Sequence, residues 1–263
     1  MEAKGHVFKT NSDTETIIHA YEEWGRACLE RLRGMFSFAI RDPNKKSFFC
    51  VRDRGGIKLF YYFWDNHHFV FGSEIKAILA HPEVELEVDN AALVNYLRLF
   101  YVPAPQTIYK NIYKLPPGHT LFLENGHLSI EPYWDVFSFM QQQDSLSLQD
   151  ASRQLRQTLQ EAVDIRLISE VPLGAFLSGG VDSSLVVALM SQTVGAGVMS
   201  HCVGFAEKEF DESVYADEIA TKFKCDHSEI TLQPDVRDIL PKLIWHMDEP
   251  FADSSMIPTY YIC

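Results

Sequence analysis

The stretch FLSGGVDSS, residues 176–184, lies between two apolar runs, VPLGAFL at residues 171–177 and LVVALM at residues 185–190. The first run has the length and residue types of a short buried strand, and the second is long enough to begin a helix. Two glycines and three serines between such runs are typical of a tight turn from a strand into a helix. The stretch therefore predicts an α/β unit in the second half of the chain.

The residues around this turn repeat the same alternation of short strands and helices. We predict strands at 172–177, 199–205 and 227–231 and helices at 182–193, 211–224 and 236–246. Strands that alternate with helices favour a parallel sheet covered by the helices. The α/β domain is expected to span residues 151–263.

The first half of the chain has a different character. One helical segment is followed by the aromatic and β-branched runs FSFAIRD, SFFCVRD, LFYYFWD and HFVFGSE, which are separated by turn residues. Residues 1–134 therefore predict a strand-rich α+β domain. Residues 135–150 are rich in Gln, Ser and Asp and are expected to form a linker.

Composition excludes several classes of protein. The net charge of -13 and only 23 Lys and Arg residues disfavour a nucleic-acid-binding surface. The five cysteines form no CxxC pair, so neither a disulfide framework nor a cysteine zinc site is indicated. A reducing, cytoplasmic location is expected, and no apolar run approaches the roughly 20 residues of a membrane span.

The strand-to-helix turn has the chemistry of an anion site. Backbone N–H groups of Ser178, Gly179 and Gly180 and the start of the following helix converge on one point, where a phosphate would be stabilised. Hydroxyls can add hydrogen bonds there, and the lysine of a γ-phosphate loop is missing. In place of a loop that binds a transferred γ-phosphate, we expect one that holds the two terminal phosphates of a nucleoside triphosphate as they leave together as pyrophosphate. Asp182 would then contact magnesium. A Gly-Gly turn that merely caps a helix is the plainer interpretation.

The motif SGGVDSS resembles the pyrophosphate-binding loop of the ATP pyrophosphatases. Further strings narrow the likeness: SDTETIIHAYEEWG, LRGMFSFAI, RDRGGIKLFYY, FGSEIKAIL, IYKLPPGH and DEPFADSS. In this order they resemble the glutamine-hydrolysing asparagine synthetases. The resemblance implies two domains, an incomplete α+β glutaminase domain of the N-terminal-nucleophile type and an incomplete, Rossmann-like ATP pyrophosphatase domain with a parallel sheet.

The resemblance also implies a reaction. The glutaminase domain of the family releases ammonia from glutamine, and the second domain activates the aspartate side chain with ATP and Mg²⁺ to form asparagine, AMP and pyrophosphate. The expected partners are ATP, aspartate and glutamine or ammonia, and the resemblance leaves a homodimer open. Two alternatives remain: a relative that amidates another carboxylate, in a β-lactam, peptide or cell-surface product, and an inactive nucleotide-binding fragment.

The family's ATP-binding positions transfer onto this sequence residue by residue. They fall on Leu177, Ser178, Gly179, Gly180, Asp182, Ser183, Ser184 and Val203. Asp182 is the expected magnesium contact. Without the resemblance, ordinary core packing would account for Leu177 and Val203.

Two acidic motifs have both a functional and a structural interpretation. In DEPFADSS, Asp253 is expected near the substrate, although this residue, Asp248 and Glu249 could equally cap a helix. In SDTE, Ser12 and Glu15 form a capping-box pattern. Asp13, between them, matches the family's aspartate for the α-amino group of glutamine.

The chain departs from the family in three places. The family's nucleophile is a cysteine at the mature N-terminus, whereas this chain starts Met1-Glu2 and its first cysteine, Cys28, lies in a helical pattern. No catalytic residue is therefore assigned, and no glutaminase activity is expected. A second nucleotide loop and a catalytic lysine are expected beyond residue 263, so the chain is interpreted as truncated at both ends. Gly55 and Leu59 also differ from the family's turn RDRLGIKPLYY.

Overall fold

The chain folds into two compact units in a computed structural model that describes residues 1–140, 146–206, 209, 211–232 and 236–263. The first unit comprises Met1–Gln142 and the short segment Met247–Ala252, and the second comprises Gln143–His246 and Asp253–Cys263. Part of the expected linker, residues 141–145, lies outside the described residues. Before it, Val136–Phe139 form a 3₁₀ helix.

The first unit contains three α-helices and seven strands among its described residues. The helices are α1 (Asp13–Trp24), α2 (Ile75–Leu79) and α3 (Asn90–Leu99). The strands are β1 (Ser37–Asp42), β2 (Ser47–Arg52), β3 (Tyr61–Trp64), β4 (Phe69–Gly72), β5 (Ile112–Lys114), β6 (His119–Glu124) and β7 (His127–Pro132). Each of the four aromatic runs predicted as strands forms one, β1 to β4.

These strands form two antiparallel sheets, one in the order β1-β2-β6-β7 and one in the order β4-β3-β5. Strand β2 is central in the first sheet and is buried on both faces. Phe49 packs in a cluster with Ala20 of α1, whereas Cys50, on the opposite face, packs with Leu121 and Phe60. Successive residues of a strand point to opposite faces, so the central run FFCV of β2 is apolar without alternation because both faces are covered.

The second unit alternates helices and strands. Its helices are α4 (Leu148–Asp164), α5 (Val181–Val194), α6 (Ser213–Phe223), α7 (Val236–Met247) and α8 (Met256–Ile262). Its strands are β8 (Gly174–Phe176), β9 (Met199–Phe205) and β10 (Asp226–Leu232). All six predicted elements are present, with ends that differ by a few residues.

The three strands of the second unit form a parallel sheet in the order β10-β9-β8. Its core joins the sheet to α5 and α6 through a cluster of buried residues: Leu177, Val187, Cys202, Ala216 and Ala220. Strand β8 is shorter than predicted because Pro172 has no N–H to donate to a neighbouring strand. Helix α6 begins at Ser213 because the Asp211 carboxylate accepts the Ser213 N–H at 3.2 Å.

Within the described residues, no helix combines the length and the apolar character that crossing a membrane requires.

Candidate functional site

The loop that follows β8 connects the parallel sheet to α5. Leu177 N donates to His201 O of β9 at 2.8 Å, which extends the pairing of β8 by one residue, and the Leu177 side chain is buried. Gly180 is the N-cap of α5, and its carbonyl accepts the first helical bond, from Ser184 N, at 3.0 Å. The N–H groups of the first turn of a helix have no acceptor within the helix and point out of its N-terminal end. In α5 this end adjoins the loop.

Gly179 is the one loop position where the backbone requires glycine. Its φ is 77°, in the left-handed region, and an added Cβ would lie 2.4 Å from Tyr215 Cβ and 2.8 Å from Ala216 N. A side chain here would meet both an unfavourable backbone angle and the start of α6. The glycine thus lets α6 lie directly against the loop.

The loop hydroxyls bind one another. Ser178 Oγ lies 3.1 Å from Ser183 Oγ, which donates to Gly180 O at 3.2 Å, and Gly180 N donates to Ser178 Oγ at 3.4 Å. These bonds are long or within the loop, so phosphate oxygens could replace them without leaving a buried donor unsatisfied. The Ser184 hydroxyl is buried and has no hydrogen-bond partner among the described residues.

A cavity of about 380 Å³ opens at the carboxyl ends of β8 and β9. Leu177 and Val203 line it together with the loop hydroxyls of Ser178 and Ser183. Ligands of open parallel sheets bind at this edge, and the volume lies in the range of small-molecule sites. Four of the eight predicted ATP positions therefore share one cavity, with an apolar part and a hydroxyl-lined part.

The remaining predicted ATP positions surround the same loop without lining the cavity. Gly179 and Gly180 shape the backbone, and Ser184 lies in the first turn of α5. Asp182 is exposed in the same turn. Its carboxylate is an oxygen ligand of the kind that Mg²⁺ prefers, so the residue fits a magnesium contact by its chemistry and exposure.

Asp253 organises the backbone before α8. Its Oδ1 accepts the Ser255 N–H at 2.9 Å, and hydrogen bonds from Ser255 hold the pKa of the carboxyl below its ordinary value. Although α8 contributes Thr259 and Ile262 to the cavity, Asp253 is not among the lining residues. This carboxylate therefore fixes the turn before α8, whose N-cap residue is Ser255, and it caps no helix itself among the described residues.

The first unit contains a larger cavity, of about 890 Å³, which Asp13 lines together with residues of β1. Asp13 is exposed and occupies the first position of α1. Ser12 is the N-cap and accepts from Thr14 N at 3.2 Å, as its position in SDTE predicts. Asp13 is thereby free to face the cavity.

The capping-box prediction is wrong for Glu15. A capping box requires this carboxylate to accept the backbone N–H of Ser12. Instead it accepts from Lys9 N at 2.8 Å and Thr10 N at 2.7 Å, further back along the chain. The loop before α1 is therefore folded against the helix, which a local sequence rule could not anticipate.

Neither cysteine of the first unit has the properties of a nucleophile. Cys28 and Cys50 are both fully buried, and burial raises the pKa of each thiol, that of Cys50 to about 12. A nucleophilic cysteine needs an accessible thiolate. The expected burial of Cys28 as a small apolar group is confirmed.

The turn that departs from the family sequence is nevertheless well formed. Asp53 is buried and accepts from Ile57 N at 3.0 Å and Lys58 N at 2.9 Å. Arg52 donates to Leu115 O at 2.8 Å and Gly56 O at 2.7 Å, which ties the turn to the rest of the unit. Arg52 and Asp53 each bind backbone groups of the turn, so the changes at Gly55 and Leu59 are accommodated.

The other two acids of DEPFADSS lie in the first unit. Asp248 Oδ2 accepts the N–H of Ile75 at 2.7 Å and thus caps α2. The sequence suggested that this acid could cap the helix that follows it, but α2 lies far before it in the chain. Glu249 pairs with Lys114 and accepts the Ile108 N–H at 3.2 Å. Burial raises the pKa of Glu249, and the Lys114 ammonium opposes that rise. These two acids have structural partners.

Comparison with known proteins assigns a family to each of the two units. Residues 1–134 match the glutamine amidotransferase domain family, and residues 154–263 match the asparagine synthase family. The chain is 31% identical to glutamine-hydrolysing asparagine synthetase 1 of Bacillus subtilis, over 100% of this chain and 41% of that protein. It is 40% identical to asparagine synthetase 3 of the same organism, over 72% of this chain and 30% of that protein.

A relative from Methanocaldococcus jannaschii, whose name marks it as a candidate glutamine-hydrolysing asparagine synthetase, is 36% identical over 97% of this chain and 50% of its own length. The chain thus spans half or less of the length of these relatives. Among solved structures, Bacillus subtilis glutamine phosphoribosylpyrophosphate amidotransferase aligns with 96% of this chain and 70% of its own at 13% identity and a TM-score of 0.38. That score is too low to establish a common fold. The two family matches and the curated relatives show that the chain belongs to the glutamine-hydrolysing asparagine synthetases.

Proposed function

We propose that this chain is the part of an asparagine-forming ligase that binds the triphosphate of ATP, through the loop Ser178–Ser184. The observation that carries the proposal is the arrangement around this loop. The hydroxyls of Ser178 and Ser183 border the same cavity as the apolar side chains of Leu177 and Val203. One ligand with a polyanionic end and an apolar ring would satisfy both regions, and ATP has this character.

The proposed reaction has two steps. An oxygen of the aspartate side-chain carboxylate attacks the α-phosphorus of ATP, the bond to the β-phosphate oxygen breaks, and pyrophosphate leaves. Ammonia then attacks the activated carbonyl carbon, AMP leaves with the carboxylate oxygen, and the nitrogen loses a proton to give the amide. Adenylation is needed because an oxide ion cannot leave a carboxylate, whereas AMP can.

The loop would assist the first step by holding the leaving group. Its N–H groups and hydroxyls lie at the positive end of α5, where the growing negative charge of pyrophosphate would be stabilised. Asp182 would hold Mg²⁺, which when bound neutralises part of the phosphate charge. Gly179 would keep the loop closed against α6, so that the donors are already placed before ATP binds.

In the first unit, we infer that Asp13 binds the α-amino group of glutamine. Its carboxylate is exposed at the first turn of α1 and lines the cavity of about 890 Å³. The buried thiols of Cys28 and Cys50 do not supply a nucleophile for glutamine hydrolysis. Ammonia delivered from solution is therefore the nitrogen source for which this chain should be tested.

The remaining features of the proposal concern setting and substrates. The five cysteines are all unpaired, which suits the cytoplasm. Aspartate is proposed as the acceptor because the curated relatives carry the name asparagine synthetase. Amidation of another carboxylate is not favoured by any contact in the described residues.

Binding of ATP is the direct test. Titration calorimetry in the presence of Mg²⁺ should show one ATP per chain, and inorganic pyrophosphate should compete. Changing both Ser178 and Ser183 to Ala should weaken ATP binding by roughly a hundredfold or more, because each hydrogen bond to a charged group contributes about 1.5–3 kcal/mol. Ser191→Ala is the control, since that hydroxyl donates to Val187 O within the same helix. Equal affinity in the double variant would contradict the proposal, as would a failure of pyrophosphate to compete.

A further inference from the structure

The start of the first unit contains a group of nitrogen and oxygen ligand atoms that the proposed function does not use. His19 and Glu22 lie three residues apart on α1 and therefore on one face of the helix. His6, from the loop before α1, lies against the same face, where its ring meets that of His19 with the centroids 4.9 Å apart. Two imidazoles and a carboxylate thus share one small volume.

The three ligand atoms form a compact triangle. His6 Nδ1 lies 3.1 Å from His19 Nδ1, His19 Nδ1 lies 3.1 Å from Glu22 Oε2, and His6 Nδ1 lies 3.9 Å from Glu22 Oε2. In a tetrahedral zinc site with bonds of about 2.0–2.1 Å, neighbouring ligand atoms are about 3.3 Å apart. The observed separations bracket that value, so one ion could contact all three atoms.

Protons satisfy this triangle incompletely. The carboxylate oxygen of Glu22 only accepts, and each neutral imidazole offers one N–H in total. If His19 Nδ1 carries its proton, that N–H can donate to Glu22 Oε2. The lone pair of His6 Nδ1 then has no well-aligned donor. A cation at the centre would accept all three lone pairs at once.

The outer nitrogens of both rings face carboxylates. His6 Nε2 lies 3.1 Å from Glu23 Oε2, and His19 Nε2 lies 3.6 Å from Glu15 Oε1. Histidines that bind metals commonly direct their other nitrogen at a carboxylate, which fixes the tautomer and makes the ring a better ligand. Here His6 has such a partner within hydrogen-bond distance, and His19 Nε2 faces the Glu15 carboxylate at the longer distance of 3.6 Å.

These supporting carboxylates are themselves held in place. Glu15 accepts the backbone N–H groups of Lys9 and Thr10, and Glu23 pairs with Lys4. His19 Nε2 is buried and has no hydrogen-bond partner among the described residues. The side chains of His6 and His19 are only 15% and 18% exposed, whereas that of Glu22 is 58% exposed. The triangle is therefore preorganised on two sides and open to solvent on the third.

We propose that His6 Nδ1, His19 Nδ1 and Glu22 Oε2 form a binding site for a divalent transition-metal ion such as Zn²⁺, with water as the fourth ligand. The site pins the loop that carries His6 onto α1. Two nitrogens and one carboxylate oxygen suit zinc and its neighbours in the first transition row better than the hard ions Mg²⁺ and Ca²⁺. The site is independent of the ATP loop, which lies in the second unit.

Zinc titration of the untagged chain tests the proposal. Calorimetry with ZnCl₂ should show one ion per chain, and the melting temperature should rise with zinc concentration because the ion binds the folded state. Co²⁺ in place of Zn²⁺ should give the visible absorption of a tetrahedral nitrogen and oxygen site, without a thiolate charge-transfer band. Mg²⁺ at the same concentration should produce neither effect.

Variants locate the ion. His6→Gln and His19→Gln should abolish stoichiometric zinc binding, and Glu22→Gln should weaken it by about tenfold or more. Glu22→Gln is the decisive variant, because its exposed side chain can change without disturbing the fold. His127→Gln, an exposed histidine on β7, and Cys263→Ser, the exposed thiol, are the matched controls and should bind zinc normally. The proposal is overturned if zinc does not bind, or if binding survives Glu22→Gln and His19→Gln unchanged.

Discussion

Lys76 Nζ lies 2.8 Å from Asp248 Oδ1 and joins two segments of the first unit that are far apart in the chain. The Asp248 side chain is only 6% exposed, and its other oxygen accepts the Ile75 N–H. Helix α2 has no cap from the side chain of its own N-cap residue, Glu74. The segment Met247–Ala252 is thus held in the first unit by an ion pair and a helix cap supplied by the same carboxylate.

We expect Asp248→Ala to lower the free energy of unfolding of the first unit by about 2 kcal/mol, because it removes the buried carboxylate that accepts the Ile75 N–H and leaves Lys76 with its exposed partner Glu74. Asp248→Asn should cost less, since the amide oxygen can still accept the N–H. Urea unfolding followed by tryptophan fluorescence measures the change, as Trp24, Trp64 and Trp134 lie in this unit. Glu85→Ala, at an exposed position, should have almost no effect. Equal stability of Asp248→Ala and Glu85→Ala would contradict the structural role.

Gly179→Ala should damage the ATP loop. The new Cβ would lie 2.4 Å from Tyr215 Cβ, so the loop or the start of α6 must move. We expect roughly a tenfold or greater loss of ATP affinity, since a displacement costing about 1.4 kcal/mol already has that effect. Gly197→Ala is a matched control because Gly197 also has a positive φ, 90°, but nothing lies within 4 Å of its added Cβ. Equal ATP affinity of the Gly179→Ala and Gly197→Ala variants would contradict the packing argument.

Asp164 should make the second unit more stable above pH 4 than below it. Hydrogen bonds from Thr193 and Gln160 lower the pKa of this carboxyl from its ordinary value of 3.8. Because the folded pKa is the lower one, the unfolded state binds more protons in this range, and the contribution disappears as pH falls from 3.8 through the folded pKa. Asp164→Asn should remove this part of the pH dependence. The measurement is the difference in unfolding free energy between the two proteins from pH 6 to pH 2, and a constant difference would refute the assignment.

The cysteines should react with a thiol reagent in an order set by burial. Cys263 is exposed and should be modified first, whereas Cys28, Cys50 and Cys202 are buried. Burial raises the pKa of Cys202 to about 11 and that of Cys50 to about 12, so few thiolates form at neutral pH. Mass spectrometry after short labelling, with and without denaturant, reads the order. Rapid native labelling of Cys28 or Cys50 would mean that the first unit opens readily.

Much of the candidate site was predictable because its residues are neighbours in sequence. The loop between β8 and α5 is a local feature, and its glycines and serines mark both the turn and its anion-binding chemistry. Val203 was placed through the family resemblance, since apolar patterning alone cannot distinguish a cavity wall from a core position. The roles of Asp248 and Glu249 were not predictable, because their partners Lys76 and Lys114 come from distant strands and helices.

The sequence by itself determined the alternation of helices and strands in the second unit, the strand-to-helix turn at Ser178–Gly180 and the cap at Ser12, since periodicity, glycine conformations and capping act over a few residues. The short helices α2, α3 and α8 were not predicted from it. Tertiary structure decided which distant groups meet. It brings His6 to His19 and Glu22, returns Asp248 to α2, and makes Gly179 indispensable through the approach of α6. Contacts of this kind depend on how the elements pack, and packing is set by the whole core of each unit instead of by any single stretch of chain.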